Sequence, residues 1–136
     1  MPDPCTYDYA IVRVVPRVER GEFVNVGAIV SSDAKGYLAA RFAFDEARLL
    51  ALDPKVDLNA VRTALAAIAA VCAGGAPAGA IGRLSLRERF HWLVAPRSTI
   101  IQTSAVHTGR CEDLADALDR LLERMVRPPT ASRSSP

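Results

Sequence analysis

The sequence predicts an α+β fold, a single domain in which helices pack on one face of a mainly antiparallel sheet of four strands. In several short runs, β-branched and aromatic residues alternate with period two, which is typical of strands. Elsewhere, apolar residues recur at spacings of three and four, which is typical of helices. Consecutive strands followed by helices favour an antiparallel α+β arrangement over a parallel sheet.

The length and composition support one ordinary core. The chain has 136 residues, of which 50% are hydrophobic, and a chain of this size needs neither metals nor disulfides to bury a core. This composition excludes a disordered tail protein, a collagen-like repeat and a disulfide-stapled miniprotein. We predict a globular domain over residues 5–126. The final run RPPTASRSSP has no apolar periodicity, so residues 127–136 are predicted to be a disordered tail.

Four segments are predicted to be strands. The first reads YDYAIVRVV and ends at Pro16, which cannot donate a ladder hydrogen bond in a central strand. The turn chemistry of Asp33-Ala34-Lys35-Gly36 joins the second strand to the third. A run with Ile100 and Ile101 at its centre is predicted to be the last strand. The predicted strands cover residues 7–15, 23–32, 37–44 and 98–106.

Four segments are predicted to be helices. Asp45 is a predicted N-cap, and Ser85 with Glu88 has the spacing of a capping box. In the segment that follows the capping box, Phe90, Trp92 and Val94 also alternate as a strand would, and we expect these aromatic side chains in the core. The terminal helix is expected to bury one face carrying Leu114, Leu118, Leu121 and Met125. The predicted helices cover residues 46–52, 57–73, 86–94 and 112–126, and the Gly-rich stretch 73–82 is predicted to be a surface loop.

Charge and cysteine usage exclude several function classes. The net charge is +2 with basic and acidic residues interspersed, so no nucleic-acid face is predicted. The three cysteines form no CxxC pair, so we predict neither a zinc site nor a disulfide framework, and we predict no cofactor. The N-terminus lacks the pattern of a signal peptide, and no apolar run reaches the roughly 20 residues that span a bilayer. We therefore expect a cytoplasmic protein that is not inserted in a membrane.

Arg13, Asn25 and Arg41 form the first candidate site. If Val15 pairs with Phe23, Arg13 lies opposite Asn25, and a three-residue turn then places Arg41 opposite Gly27. The side chains would face one side of the sheet and bind a phosphate or carboxylate by charge-assisted hydrogen bonds. The alternative is that these arginines form ordinary ion pairs. In that case Arg13 would pair with Glu19 or Glu22, and Arg41 with Asp8 or solvent.

Arg97, Ser98 and His107 form the second candidate site, around a turn that concentrates hydrogen-bond donors suited to an anion. Ser98 lacks the G-x-S-x-G pattern of a nucleophile elbow, and no sequence rule places His107 and an acid beside it. Hydroxyl groups next to proline also satisfy turn backbone. We predict no catalytic residue and no metal ligand, so an enzyme is the less favoured interpretation.

Two stretches carry a family resemblance. They read YDYAIVRVVPRVERGEFVNVGAIV and RFHWLVAPRSTIIQTSAVHTGRCEDL, and together they resemble the small bacterial family DUF3037 over about residues 7–126. The resemblance implies no established activity, cofactor or catalytic residue. It implies a partner protein, since members of the family are often encoded next to a gene for a HipA-like kinase. The recurring pattern of the family falls here on Tyr9, Arg13, Pro16, Glu22, Asn25, Val26, Gly27, Trp92, Pro96, Arg97, Ser98, Thr99, His107 and Gly109.

Two hypotheses of different classes follow from the sequence. The favoured one is a non-catalytic protein-binding or regulatory module that docks on a partner, which the resemblance indicates to be a HipA-like kinase. The alternative is a small enzyme or binder of a phosphate- or carboxylate-bearing ligand that uses the arginine cluster. An exposed edge strand would also permit a homodimer through sheet extension.

Overall fold

The computed structural model describes residues 4–97 and 99–129. These residues form an antiparallel sheet of five strands and four α-helices, which confirms the α+β prediction. Of the predicted tail, residues 130–136 lie outside the described residues. The strands are β1 (Cys5–Val14), β2 (Val24–Ser32), β3 (Tyr37–Phe42), β4 (Ile101–Thr103) and β5 (His107–Cys111). The helices are α1 (Glu46–Leu52), α2 (Leu58–Ala73), α3 (Leu86–Val94) and α4 (Leu114–Leu121).

The strand β1 is the centre of the sheet. The order is β3-β2-β1-β4, and β5 also pairs with β1. On the side of β1 away from β2, β4 pairs with the stretch Val12–Val14 and β5 with the stretch Cys5–Tyr9. The ten residues of β1 thus give two short strands room to lie end to end along one edge.

The prediction of four strands, with 98–106 as the last, is wrong at this edge. Of the described residues in that segment, only Ile101–Thr103 form a strand, and a fifth strand, His107–Cys111, follows it. The sequence HTGRC is poor in the β-branched and apolar residues that mark a strand. Most of its residues are exposed, so its order comes from pairing with β1 rather than from burial.

Helices cover both faces of the sheet, so the prediction of helices on one face is wrong. On one face, side chains such as Val12 and Val26 pack with α1, α2 and α3, and on the other face Ile11 and Val30 pack with α4. Strands that are buried on both faces read as nearly continuous apolar runs. The run Ala10–Val12 is buried in this way, as is most of β2.

A β-bulge in β2 shifts the alternation of its side chains. Val12 lies opposite Gly27, whereas the next residue, Arg13, lies opposite Asn25, so Val26 is the extra residue. The ring of Phe42 approaches the backbone so closely that position 27 must be glycine, because an ideal Cβ there would lie 2.3 Å from Cδ1 of Phe42. The space beside Gly27 is therefore filled by an aromatic ring from β3.

Local capping chemistry sets the starts of the helices. Asp45 accepts a hydrogen bond from the backbone N–H of Arg48 at 3.2 Å, as predicted for an N-cap. Ser85 and Glu88 form the predicted capping box, and the helix 86–94 is confirmed over the strand alternative. None of the helices among the described residues has the length and apolar character needed to cross a membrane.

The terminal helix changes its geometry partway along. After Leu121, the backbone continues as a π-helix over Leu122–Val126, and the N–H of Arg127 donates to the carbonyl of Leu122 at 2.8 Å. The wider turn changes which side chains face the sheet. Leu122 and Val126 are buried, whereas Met125 is 44% exposed, so the prediction that Met125 lies on the buried face is wrong.

We expect Leu118→Ala to lower the free energy of unfolding by about 3 kcal/mol, because it removes a fully buried side chain from the core under α4. Met125→Ala, in the same terminal helical segment, is the matched control and should cost less than about 1 kcal/mol. Urea denaturation of the three proteins measures both values. An equal decrease in the free energy of unfolding for the two variants would contradict the finding that Leu118 is buried and Met125 is exposed.

Candidate functional site

The residues of the first candidate site share the face that α4 covers. Arg13 lies opposite Asn25, as predicted. The Arg13 guanidinium stacks on the ring of Phe23, with its Cζ 4.0 Å from the ring centroid. Asn25 donates from Nδ2 to the carbonyl of Met125 at 2.9 Å, so it holds the end of the terminal helix. The Nε of Arg13 and the Oδ1 of Asn25 are buried and have no hydrogen-bond partner among the described residues.

Arg41 lies opposite Ala28, so the prediction that it faces Gly27 is wrong. The bulge at Val26 causes the difference, since it shifts β2 by one residue relative to a regular ladder. The Arg41 guanidinium forms an ion pair with Asp119 of α4, on the surface of the protein. The alternative of an ordinary ion pair is confirmed for Arg41, with Asp119 as the partner in place of Asp8.

The residues of the second candidate site are separated by the sheet. Arg97 follows α3, and its guanidinium donates to the carbonyl oxygens of Trp92 and Leu93 at 2.6 and 3.1 Å. His107 begins β5 opposite Tyr9, and the two rings lie 5.5 Å apart on the face covered by α4. Ser98 lies outside the described residues. The described members of the two candidate sites therefore do not meet in one pocket.

An apolar groove lies between α2, α3 and β4 and has a volume of about 180 Å³. The small side chains Ala64 and Ala67 of α2 leave a depression, and Ile68 lines the same wall. Trp92 of α3 lines the groove as well, and the β4 edge borders it. Such a concave and largely apolar surface is typical of a binding site. We call this feature the Trp92 groove.

Trp92 is 41% exposed, so the expectation that it packs in the core is wrong. Its neighbours in α3, Phe90 and Leu93, are buried, and the helical period turns Trp92 away from them. Arg97 stacks over the indole, with Cζ 4.4 Å from the ring centroid. With Phe90 and Leu93 on the buried face, the helical period of this segment could therefore have predicted that Trp92 is exposed.

The strand β4 is an edge of the sheet beside this groove. Ile100 accepts from the N–H of Val15 at 2.7 Å, and Ser104 donates to Ile11 at 2.8 Å, so these residues face β1. Because alternate residues of an antiparallel strand turn their backbone groups to opposite sides, Ile101 and Thr103 direct theirs away from β1. The carbonyl of Ile101 accepts from the Thr99 hydroxyl at 2.8 Å. The backbone groups of Thr103 face outward beside the groove.

A second, polar cleft of about 390 Å³ lies between the end of β5 and α4. Arg110, Arg120 and Arg124 line it together with acidic side chains, and Arg120 pairs with Asp116 at 2.9 Å. Burial raises the pKa of Tyr7 in its wall above the ordinary value, so this hydroxyl stays protonated at neutral pH. Among the described residues, no cluster of three or more His, Cys, Asp or Glu side chains is arranged to hold a metal ion.

We expect Arg97→Ala to shift the fluorescence emission of Trp92, the only tryptophan of the chain, to longer wavelength. Removing the stacked guanidinium exposes the indole to water, and the loss of two hydrogen bonds to carbonyl oxygens lowers stability by about 1 kcal/mol. Arg13→Ala removes a guanidinium that stacks on Phe23 and is the matched control. A shift of the same size in both variants would contradict the assigned contact.

Comparison with known proteins matches the chain to a protein family. A family model described as Protein of unknown function (DUF3037) matches residues 9–126, which is most of the chain. No curated protein and no solved structure gives a significant match. The matched segment contains every residue of the Trp92 groove and of both candidate sites. The chain therefore belongs to the DUF3037 family.

Proposed function

We propose that the protein is a non-catalytic binding module that holds an extended segment of a partner protein along β4 and in the Trp92 groove. The observation that carries this proposal is the position of an apolar groove with an exposed tryptophan directly beside a sheet edge. The two features supply different parts of one recognition mode. In β-strand addition, backbone hydrogen bonds give affinity and neighbouring pockets select the side chains.

The edge supplies the backbone contacts. The outward N–H and C=O of Thr103 are available to a strand that lies antiparallel or parallel to β4. The side chains of Ile101 and Thr103 line the groove, so a paired segment would place alternate side chains beside them. An extended apolar segment therefore fits this surface better than a helix, which has no free backbone groups along its length.

Trp92 supplies the anchor. Tryptophan side chains contribute strongly to protein interfaces because they bury a large rigid surface. The indole is held by the guanidinium of Arg97, which in turn is fixed by two carbonyl oxygens of α3. This arrangement presents the ring to a partner without a large loss of side-chain entropy on binding.

The proposed partner is a HipA-like kinase, which the family resemblance suggests. A second copy of this chain, paired edge to edge as a homodimer, is the competing occupant of the same surface. The C-terminal run TASRSSP is too polar to suit an apolar groove. Action in the cytoplasm is part of the proposal, and the free thiols of the three cysteines fit a reducing compartment.

We expect the purified protein to bind a HipA-like kinase from the same genome, and Trp92→Ala to weaken this binding by about tenfold or more. Isothermal titration calorimetry measures both affinities. Phe23→Ala is the matched control, since Phe23 is 45% exposed, also lies under an arginine and is on the face covered by α4. Thr103→Pro removes an outward N–H and should weaken binding as well.

The outcomes separate the parts of this proposal. Unchanged kinase binding by Trp92→Ala and Thr103→Pro would contradict the groove as the docking site. Absence of binding by the wild-type protein would contradict the kinase as partner. A homodimer in sedimentation experiments that is lost in Thr103→Pro would identify a second copy as the occupant. Circular dichroism shows whether each variant keeps the fold.

A second candidate function is the binding of a phosphate- or carboxylate-bearing ligand. It is favoured by the buried Nε of Arg13, a donor that has no hydrogen-bond partner among the described residues. Of the other residues predicted for such a ligand, Arg41 is paired with Asp119, and Arg97 is separated from Arg13 by the sheet, so this candidate site is limited to the surroundings of Arg13.

For this alternative, phosphate, nucleotides or small carboxylates should raise the melting temperature by several degrees, and Arg13→Ala should abolish the rise. Arg62→Ala, which removes a surface ion pair with Glu46, is the control and should retain the ligand-induced rise in melting temperature. A thermal-shift series measures these effects. If no such compound stabilises the wild-type protein, the anion-binding alternative is contradicted.

A further inference from the structure

Two cysteines that are far apart in sequence lie side by side at the end of the sheet where β1 begins. Cys5 begins β1 and Cys111 ends β5, and they are direct partners in the antiparallel pairing. Their sulfur atoms lie 3.9 Å apart. No sequence pattern predicts this pair, because 106 positions separate the two residues and the strand that carries Cys111 has a weak strand signal.

The backbone already has a geometry that a disulfide accepts. Directly opposed residues of antiparallel strands have Cα atoms about 4.5–5.5 Å apart. Disulfides accept Cα separations of about 4.4–6.8 Å. Rotation of the two side chains therefore suffices to bring the sulfur atoms of Cys5 and Cys111 into bonding distance, and the strands keep their register.

We propose that Cys5 and Cys111 are a redox-active pair, which low-molecular-weight disulfides such as glutathione disulfide oxidise to a cross-strand disulfide and which thiols reduce again. The bond would fasten β5 to the start of β1. It would also hold the turn that leads into α4, since Asp113, the N-cap of α4, follows Cys111 by two residues.

Access to the pair is consistent with this chemistry. Both cysteines are partly exposed, and Cys111 lines the polar cleft together with Arg110 and Arg124. These guanidinium groups are suited to the carboxylates of glutathione disulfide. The third cysteine, Cys72, is 7% exposed in the core on the other face and has no access to such a reagent.

The reaction proceeds by two thiol–disulfide exchanges. One of the two cysteines loses its thiol proton and its sulfur attacks glutathione disulfide, which forms a mixed disulfide and releases one glutathione thiolate. The other cysteine then loses its proton and attacks the protein sulfur of the mixed disulfide, which releases the second glutathione thiolate. The two protons end on the two glutathione molecules, so two protein thiols are oxidised and one glutathione disulfide is reduced.

Burial and the neighbouring Cys5 raise the pKa of the Cys111 thiol to about 11, so it is protonated at neutral pH. The exchange in which Cys111 attacks therefore begins with the loss of this proton, which higher pH favours.

The test is to incubate the folded wild-type protein in buffers of reduced and oxidised glutathione and to map its disulfides by mass spectrometry without reduction. We expect a peptide link between Cys5 and Cys111, a free Cys72, and full reversal by excess reduced glutathione. The oxidised protein should melt on the order of 10 °C higher, because the bond closes a loop of about one hundred residues. Cys5→Ser and Cys111→Ser should each form no intramolecular link and show no such rise.

Three results would overturn the proposal. The first is stable glutathione on both cysteines of the folded protein with no link between them. The second is a disulfide that joins two protein molecules in place of the intramolecular bond. The third is a protein whose Cys5 and Cys111 both stay free at every glutathione ratio while denatured protein reacts.

Discussion

The central strand pair β1–β2 is buried on both faces, and the other elements are arranged to meet this constraint. Side chains such as Ile11 and Val12 point to opposite faces, and both are almost completely excluded from water. The sheet therefore needs a helical layer on each side. The helices α1 to α3 form one layer, and α4 with its π-helical extension forms the other. The bulge at Val26 places Asn25 where it reaches the end of that extension.

These two layers decide which surfaces stay open to a partner. On the face covered by α4, Arg41 forms an ion pair with Asp119. On the same face, Asn25 donates a hydrogen bond to the carbonyl of Met125. On the other face, β4 is short and its outer edge is left beside the small side chains of α2. The groove there forms because Ala64 and Ala67 leave space at the surface of α2 and because the helical period of α3 directs Trp92 outward. The proposal of docking at this groove rests on these two features.

Sequence reasoning succeeded where the signals are local. The bounds of the helices 46–52 and 86–94 follow from Asp45, Ser85 and Glu88, whose capping contacts involve neighbouring residues only. It failed where the deciding contact is distant in sequence. The strand β5 depends on pairing with β1, and the exposure of Met125 depends on a change to π-helical geometry that no residue pattern marks. For the candidate sites, the pairing of Arg13 with Asn25 followed from pairing Val15 with Phe23, whereas no sequence pattern marks the bulge that displaces Arg41.

The most direct test of the docking account is amide hydrogen exchange of the protein alone and in complex with a HipA-like kinase. We expect the added protection to be concentrated at the amides of Ile101 and Thr103 and on the α3 segment that carries Trp92. The outer edge of β3, around Leu38 and Ala40, is the internal reference and should exchange at the same rate in both states. Protection confined to β3 or to the polar cleft beside Arg110, with β4 unchanged, would contradict the account.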